Sequence, residues 1–250
     1  MGEDRILLVN RRAALGLMVG VFAPPGSARA ETVVAADHDQ FWLWAGVASQ
    51  PVLAGARSLY FLQGEVGLPR RRGEDVRLIA QAGASPHVHP GQIWLAYRAS
   101  TLDWPALVYG QILARLERWR EAGQPVTGLQ IDFDSGTRQL ERYGRFLADL
   151  RARLPAGYQL SITGLLDWSS QASPAELALL KSTVDEIVLQ TYQGRRTISN
   201  YRAYVASLTR LRIPFKIGLV QGGEWQAPAG LGDNPWFRGY VVFLLNPVPG

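Results

Sequence analysis

From Gln40 to Leu245 the chain switches repeatedly between short apolar runs and longer stretches in which apolar residues recur every three or four positions. The short runs predict strands at Gln40–Val47, Ser58–Val66, Gln92–Tyr97, Thr127–Ser135, Tyr158–Leu166, Glu186–Tyr192, Phe215–Gln221 and Tyr240–Leu245. After Pro105, residues Leu107, Val108, Ile112, Leu113, Leu116 and Trp119 fall at helical spacing, and Gly123 marks the stop. Thr137–Leu154 predicts a second helix, ended by Pro155, which has no amide hydrogen to continue it. Ser173-Pro174 reads as the cap and first position of a helix reaching Lys181, and Ser199–Leu211 as another. Arg70–Gln81 reads as a loop running into a short helix.

Eight strands mostly joined by helices imply a closed parallel sheet, a single (β/α)8 barrel of the TIM type. The barrel is trimmed. The link after strand one is short, and the Gln226–Phe237 connection holds Pro228, Gly230, Gly232 and Pro235, which oppose a regular helix. The chain given ends soon after strand eight, with no eighth helix. The alternative, an open doubly wound sheet, lacks the glycine-rich turn expected after its first strand. The fourth strand favours closure most. Leu129, Ile131 and Phe133 are apolar, while the alternate positions Gln130, Asp132 and Asp134 are polar. With a side-chain period of two, one face packs on helices and the other points two carboxylates and an amide inward.

Composition narrows the class. At 250 residues, 47% hydrophobic and 19% charged, the chain fits one globular domain. The net charge of +5 is scattered, with one arginine run at Arg70–Arg72, whereas a nucleic-acid footprint is clustered. No nucleic-acid partner is expected. Cysteine is absent, which excludes a thiol nucleophile, disulfides and thiolate metal sites. Residues 1–30 are set apart: Arg11-Arg12, an apolar run from Ala13 to Phe22, then Ala28-Arg29-Ala30. That order predicts a cleaved export signal, loosely of the twin-arginine kind, with residues 31–250 as the barrel and a periplasmic or secreted destination. The run is too short to span a bilayer, and an N-terminal amphipathic helix is the alternative. Without residues 1–30, which hold four arginines and two acids, the net charge is +3.

Chemistry in such barrels sits where the strands end, at the C-terminal face. The residues there are Gln63, Glu65, Asp132, Asp134, Asp167, Trp168, Gln190, Tyr192, Gln193, Gln221, Glu224, Trp225 and Asn246. Paired carboxylates can divide acid and base roles, amides suit sugar hydroxyls, and indoles suit the apolar face of a pyranose. For each there is a plainer use. The aspartates can anchor a loop or balance Lys216 in the lumen, Trp168 and Trp225 can cover the barrel, and of Trp42 and Trp44 at least one belongs to the core. His87 and His89 precede strand three, at the end of the barrel that serves stability, so no metal site is expected. No cofactor motif is present.

Thr127-Gly128-Leu129-Gln130-Ile131-Asp132-Phe133-Asp134 resembles the fourth strand of chitinase-like glycosidases (glycoside hydrolase family 18), which reads Asp-Gly-x-Asp-x-Asp-x-Glu. Leu189-Gln190-Thr191-Tyr192 resembles that family's Met-x-Tyr strand end. From Asp37 to Pro247 the chain is most similar to the bacterial family called domain of unknown function 3142, which is grouped with glycosidase-like barrels. The resemblance implies Asp134 as general acid, Asp132 as its partner and Tyr192 as an orienting group, with the substrate's own N-acetyl group as nucleophile. The expected substrate contacts come from the strand-end set itself: Gln130, Gln190, Gln63, Asp167, Trp168, Gln221, Glu224 and Trp225. Departures are clear. Thr127 and Gln130 replace the first two Asp, Gln193 stands where an Asp often follows the Tyr, and Asp134 replaces the Glu. An Asp is one methylene shorter, roughly 1 Å of reach, a misplacement that can cost on the order of a hundredfold in rate.

The expectation is therefore an exported, monomeric barrel that binds, and as an enzyme hydrolyses, a polysaccharide or glycan. Two alternatives come from other classes. One is a non-catalytic carbohydrate-binding barrel, and the other is a structural envelope protein, which would expose an apolar patch.

Overall fold

The computed structural model describes residues 30–44, 46–67, 75–81, 90–205 and 207–246. The export-signal reading of residues 1–30 falls outside them except for Ala30, as do Arg70–Arg72 and His87–His89.

Eight parallel strands form the frame: β1 Gln40–Leu43, β2 Ser58–Gly67, β3 Gln92–Ala99, β4 Val126–Asp132, β5 Gln159–Leu165, β6 Glu186–Gln190, β7 Phe215–Val220 and β8 Phe237–Phe243. Each pairs with the next, and β8 pairs with β1 through Val242–Phe41 and Phe243–Trp42, so the sheet closes. The predicted (β/α)8 barrel is the observed fold.

Alternation sorts the strand residues into two layers. Leu59, Phe61, Ile93, Leu95, Leu129, Ile131, Leu160, Ile162, Ile187, Leu189 and Ile217 belong to the large outer core. Helix α1 (Ala106–Glu121) covers it with Val108, Ile112 and Leu116, and α2 (Leu140–Arg153) with Leu140, Tyr143, Leu147 and Leu150. Those positions recur every three or four residues, which puts one apolar stripe of each helix against the sheet. Helix α3 (Pro174–Thr183) begins at a complete capping box between Ser173 and Glu176. The lumen is filled by a second, smaller cluster of Trp42, Tyr60, Trp94, Val188 and Val241. On β4, Gly128 is required by a close approach, because a Cβ there would stand 1.9 Å from the Gln159 carbonyl oxygen.

The trimmed side is covered by aromatics. A turn of 3-10 helix, Pro51–Gly55, joins β1 to β2, and no regular helix occupies the described residues between β7 and β8. There, Glu224–Trp225 pairs with Glu31–Thr32, and Trp225 stacks on Tyr201 at 4.6 Å and meets the edge of Tyr240 at 6.0 Å. These rings cover an outer sheet face that a helix would otherwise bury.

Three local expectations are corrected. Arg77–Ala80 is a strand, not a helix, antiparallel to β2 through Gly64–Gly67. The cause is a length mismatch: β1 pairs with β2 only as far as Phe61, leaving the rest of that edge open for another strand. Strand eight begins at Phe237 rather than Tyr240, with a register shift opposite Phe215–Ile217 that takes up Arg238-Gly239. The Ser199–Leu211 helix is reduced to Tyr201–Val205 and a 3-10 turn at Leu208–Arg210.

Candidate functional site

The lower lumen is a closed polar network. Lys216 Nζ lies 2.7 Å from Glu186 Oε2 and donates to the Tyr60 hydroxyl at 2.7 Å. Tyr60 and Ser161 both donate to Glu186 Oε1, at 2.6 and 3.0 Å. Gln130 continues the chain, donating to Ser161 Oγ at 3.0 Å and accepting from the Trp42 indole. Glu186 opens β6 and Lys216 lies near the start of β7, so this pair sits at the N-terminal end. Lys216 therefore does not balance the aspartates of β4. Gln130, fully buried, belongs to the packed lumen and not to an open cleft.

Above that plug the strands end in a different set. Register places Glu65 beside Arg98 and Arg98 beside Asp132, on β2, β3 and β4. Arg98 and Asp132 share the face of the lumen residues Trp94 and Gln130, and the bulge between Leu62 and Gly64 turns Glu65 to the same face, so all three point into the mouth. Asp132 is partly exposed and accepts a 2.8 Å hydrogen bond from Thr163 Oγ1 on β5. Burial raises its pKa above the ordinary 3.8; Arg98 and Thr163 act against that rise, and Asp134 and Glu65 add to it. Asp134 follows in the loop after β4 and is exposed. Across the mouth, burial lifts the Tyr192 hydroxyl well above its ordinary value, the charge of Asp132 and more weakly that of Asp134 adding to it, against a side-chain hydrogen bond with Gln190. Asp132, Asp134, Tyr192 and Gln190 therefore share one field. The Tyr192 ring packs on Phe243 at 5.8 Å, Phe243 meets Trp44 at 5.5 Å, and the Arg98 guanidinium lies 5.3 Å over the Trp44 ring.

The remaining predicted contacts are dispersed. Gln63 is buried at the bulge of β2, where its carbonyl accepts from Arg115 at 2.9 Å. Asp167 is partly buried at the head of the short helix Trp168–Gln171. Trp168 is sealed in the outer core, donating to the Ser135 carbonyl at 2.9 Å, and offers no ring to a sugar. Gln221 is held by Gln50 at 2.9 Å and by the Leu245 amide at 2.9 Å. Glu224 is exposed on the small sheet with Glu31–Thr32, and Trp225 is nine-tenths buried outside the barrel. Arg98, Trp44 and Thr163 were not singled out for the site by sequence reasoning. Arg98 lay one residue past the predicted end of strand three, and its alternation with Trp94 and Ala96 was the signal that could have found it.

Among the described residues no group of three or more His, Asp or Glu could hold a metal, and no helix is long and apolar enough to cross a membrane. Two clefts lie away from the mouth. One, of about 480 Å³, is bounded by Asp37, His38, Asp39 and Arg57 at the N-terminal end. The other, of about 660 Å³, runs between α1 and Arg77–Ala80. In the first, Arg57 and Asp39 pair with each other at 2.7 Å, and the second is lined largely by alanine, glycine and leucine. The acid-bearing mouth is the better candidate on chemistry.

Residues 93–198 match the family described as Domain of unknown function (DUF3142). The DUF3142 stretch runs from β3 past β6 and includes Arg98, Asp132, Asp134, Gln190 and Tyr192, but not Trp44, Glu65 or Phe243. It is narrower than the Asp37–Pro247 span of the sequence resemblance. No curated protein matches the chain. Among solved structures, the spore cortex-lytic enzyme SleL of Bacillus cereus is 16% identical with a TM-score of 0.47, over 78% of this chain and 52% of that one. This chain thus spans about half the length of SleL. The chitinase domain of the spore coat protein CotE from Clostridium difficile is 12% identical with a TM-score of 0.47, over 80% and 68%. A xylanase and alpha-amylase inhibitor protein from Scadoxus multiflorus is 11% identical with a TM-score of 0.47, over 82% and 92%. The barrel is defined by its strand pairing, independently of these likenesses.

The field at Asp132 has a thermodynamic consequence. Its folded carboxyl keeps a proton to higher pH than its unfolded one, so between the two pKa values the folded state binds more protons. Stability is then fullest below the ordinary carboxylate value and falls as pH rises through the folded one. Asp132→Asn removes that loss and is expected to stabilise the protein at pH 7 by about 1 kcal/mol, roughly 2–4 °C in Tm. Thermal melts from pH 3.5 to 8 check it: the gain should vanish at the acid end. A variant less stable than the parent at pH 7 contradicts the account.

Proposed function

We propose that this barrel binds a polysaccharide or glycan at its C-terminal mouth and hydrolyses a glycosidic bond there, with Asp134 as general acid. The observation that carries this reading is the meeting of Asp132, Asp134, Gln190 and Tyr192 in one partly solvated mouth beside the Trp44 ring. Carboxylates in dissimilar surroundings suit divided acid and base roles, and an amide and a phenol can bracket sugar hydroxyls. Asp132, more buried than Asp134 and held by Thr163, serves as its partner and orients the reacting sugar with Tyr192. No cofactor enters this scheme. Export to the periplasm or beyond, where such polymers are met, fits the N-terminal pattern and belongs to the same proposal.

The shorter reach of Asp134 favours a second reading, a barrel that holds glycan without cleaving it. A panel of acetylated amino-sugar polymers and plain glucans tests both, by calorimetric binding and by release of reducing ends. Binding to one class with release of ends supports the enzyme, and binding alone supports the binder. No binding to any member overturns the glycan reading.

A further inference from the structure

The mouth holds a cation that the proposed chemistry leaves unused. Arg98 lies near the end of β3, partly exposed, with Glu65 beside it on β2 and Asp132 beside it on β4. Neither acid pairs with it. Glu65 Oε1 accepts from Ser100 Oγ at 2.8 Å, and Asp132 Oδ1 accepts from Thr163 Oγ1 at 2.8 Å. Among the described residues the Arg98 guanidinium has neither a hydrogen-bond acceptor nor an ion-pair partner. It lies 5.3 Å over the Trp44 ring, and Trp44 in turn rests on Phe243 at 5.5 Å. The cation–π contact seats the guanidinium on a packed ring and leaves its N–H donors unspent. The charges of Arg98 and Asp134 both reach Asp132, so those donors open on the same mouth as the proposed acid.

A planar fork of this kind matches a carboxylate, two N–H groups to two oxygens, better than it matches a lone hydroxyl. The acids around it do not exclude an anion. Burial lets Asp132 keep its proton to higher pH than an ordinary carboxyl, and Asp134 must carry a proton to serve as acid. In that state Glu65 and Arg98 offset each other, and the four groups carry no surplus negative charge. We propose that Arg98 selects an acidic glycan, holding the C6 carboxylate of a uronic acid unit in its guanidinium fork. The inference rests on the glycan reading above and on no particular hydrolytic step.

The experiment takes the fragment selected by the panel and the same fragment with its C6 alcohols oxidised to carboxylates. Both are titrated by calorimetry into the parent, Arg98→Met and Arg98→Lys at about pH 5.5, where an ordinary sugar carboxyl is charged. The parent should bind the oxidised form about 10–100-fold more tightly, and that ratio should shrink as salt rises from about 0.05 to 0.5 M. Arg98→Met should abolish the ratio, and Arg98→Lys, which keeps the charge and loses the fork, should retain part of it. Should Arg98→Met melt well below the parent, Arg98→Lys and the salt dependence of the parent decide the matter. A parent that binds both forms within about threefold, or a folded Arg98→Met that keeps the full ratio, overturns the inference and leaves the glycan reading standing. A panel in which nothing binds removes both this inference and the reading it rests on.

Discussion

Lys216→Met is expected to destabilise the fold by about 3–5 kcal/mol, a large part of the roughly 5–15 kcal/mol that holds an ordinary domain together. The side chains of Lys216 and Glu186 are 7% and 10% exposed, so removing the ammonium strands a carboxylate in the lumen. At roughly 2–4 °C per kcal/mol for a chain of this size, the midpoint should fall by about 6–20 °C. The double variant Lys216→Met with Glu186→Gln should recover much of the loss. A neutral amide still offers an oxygen to the Tyr60 and Ser161 hydroxyls, and no charge is left unpaired. Denaturant titration of the three proteins checks this. Equal losses for single and double variants would show that lost packing, not a stranded charge, dominates.

The second large effect is catalytic. Asp134→Asn keeps the size of the side chain but has no proton to give, so kcat should fall about 10²–10⁴-fold with ligand affinity within a few-fold of the parent. Asp134 is exposed, and surface substitutions usually change stability by less than about 0.5 kcal/mol, so the loss reports chemistry and not folding. Asp134→Glu adds one methylene. If reach limits the rate, that variant equals or exceeds the parent; if the mouth is built around the shorter acid, it falls below. Initial rates and calorimetry on the same samples separate these outcomes. Unchanged turnover in Asp134→Asn removes the proposed acid.

Period-two alternation made the barrel legible. The polar face of Gln130, Asp132 and Asp134 already implied a closed sheet, and the strand pairing closes it. The same alternation could not say how high in the lumen each position stands. Gln130 and Asp132 read alike, yet one is fully buried beneath the lumen rings and the other is partly exposed at the mouth. Height depends on strand stagger, a property of the closed sheet and not of one strand. Trp168 and Trp225 were misplaced for a related reason. A tryptophan after a strand can turn toward the mouth or fold over the outer face, and where helices are short or absent the outer face recruits it. Arg98 is hidden because the apolar run ends strand three at Tyr97, two residues short of its observed end at Ala99. Lys216 was visible as a lumen cation, but its partner, Glu186, comes from the neighbouring strand and only register reveals it.

The most direct test of the central claim is to titrate the protein with the polymer fragment selected by the panel and map the perturbed backbone amides by NMR. The account predicts shifts at Trp44, Glu65, Arg98, Asp132, Asp134, Gln190 and Tyr192, with the cleft of Asp37, His38, Asp39 and Arg57 and the α1 groove silent. Shifts confined to either of those clefts, with the mouth unchanged, would contradict it.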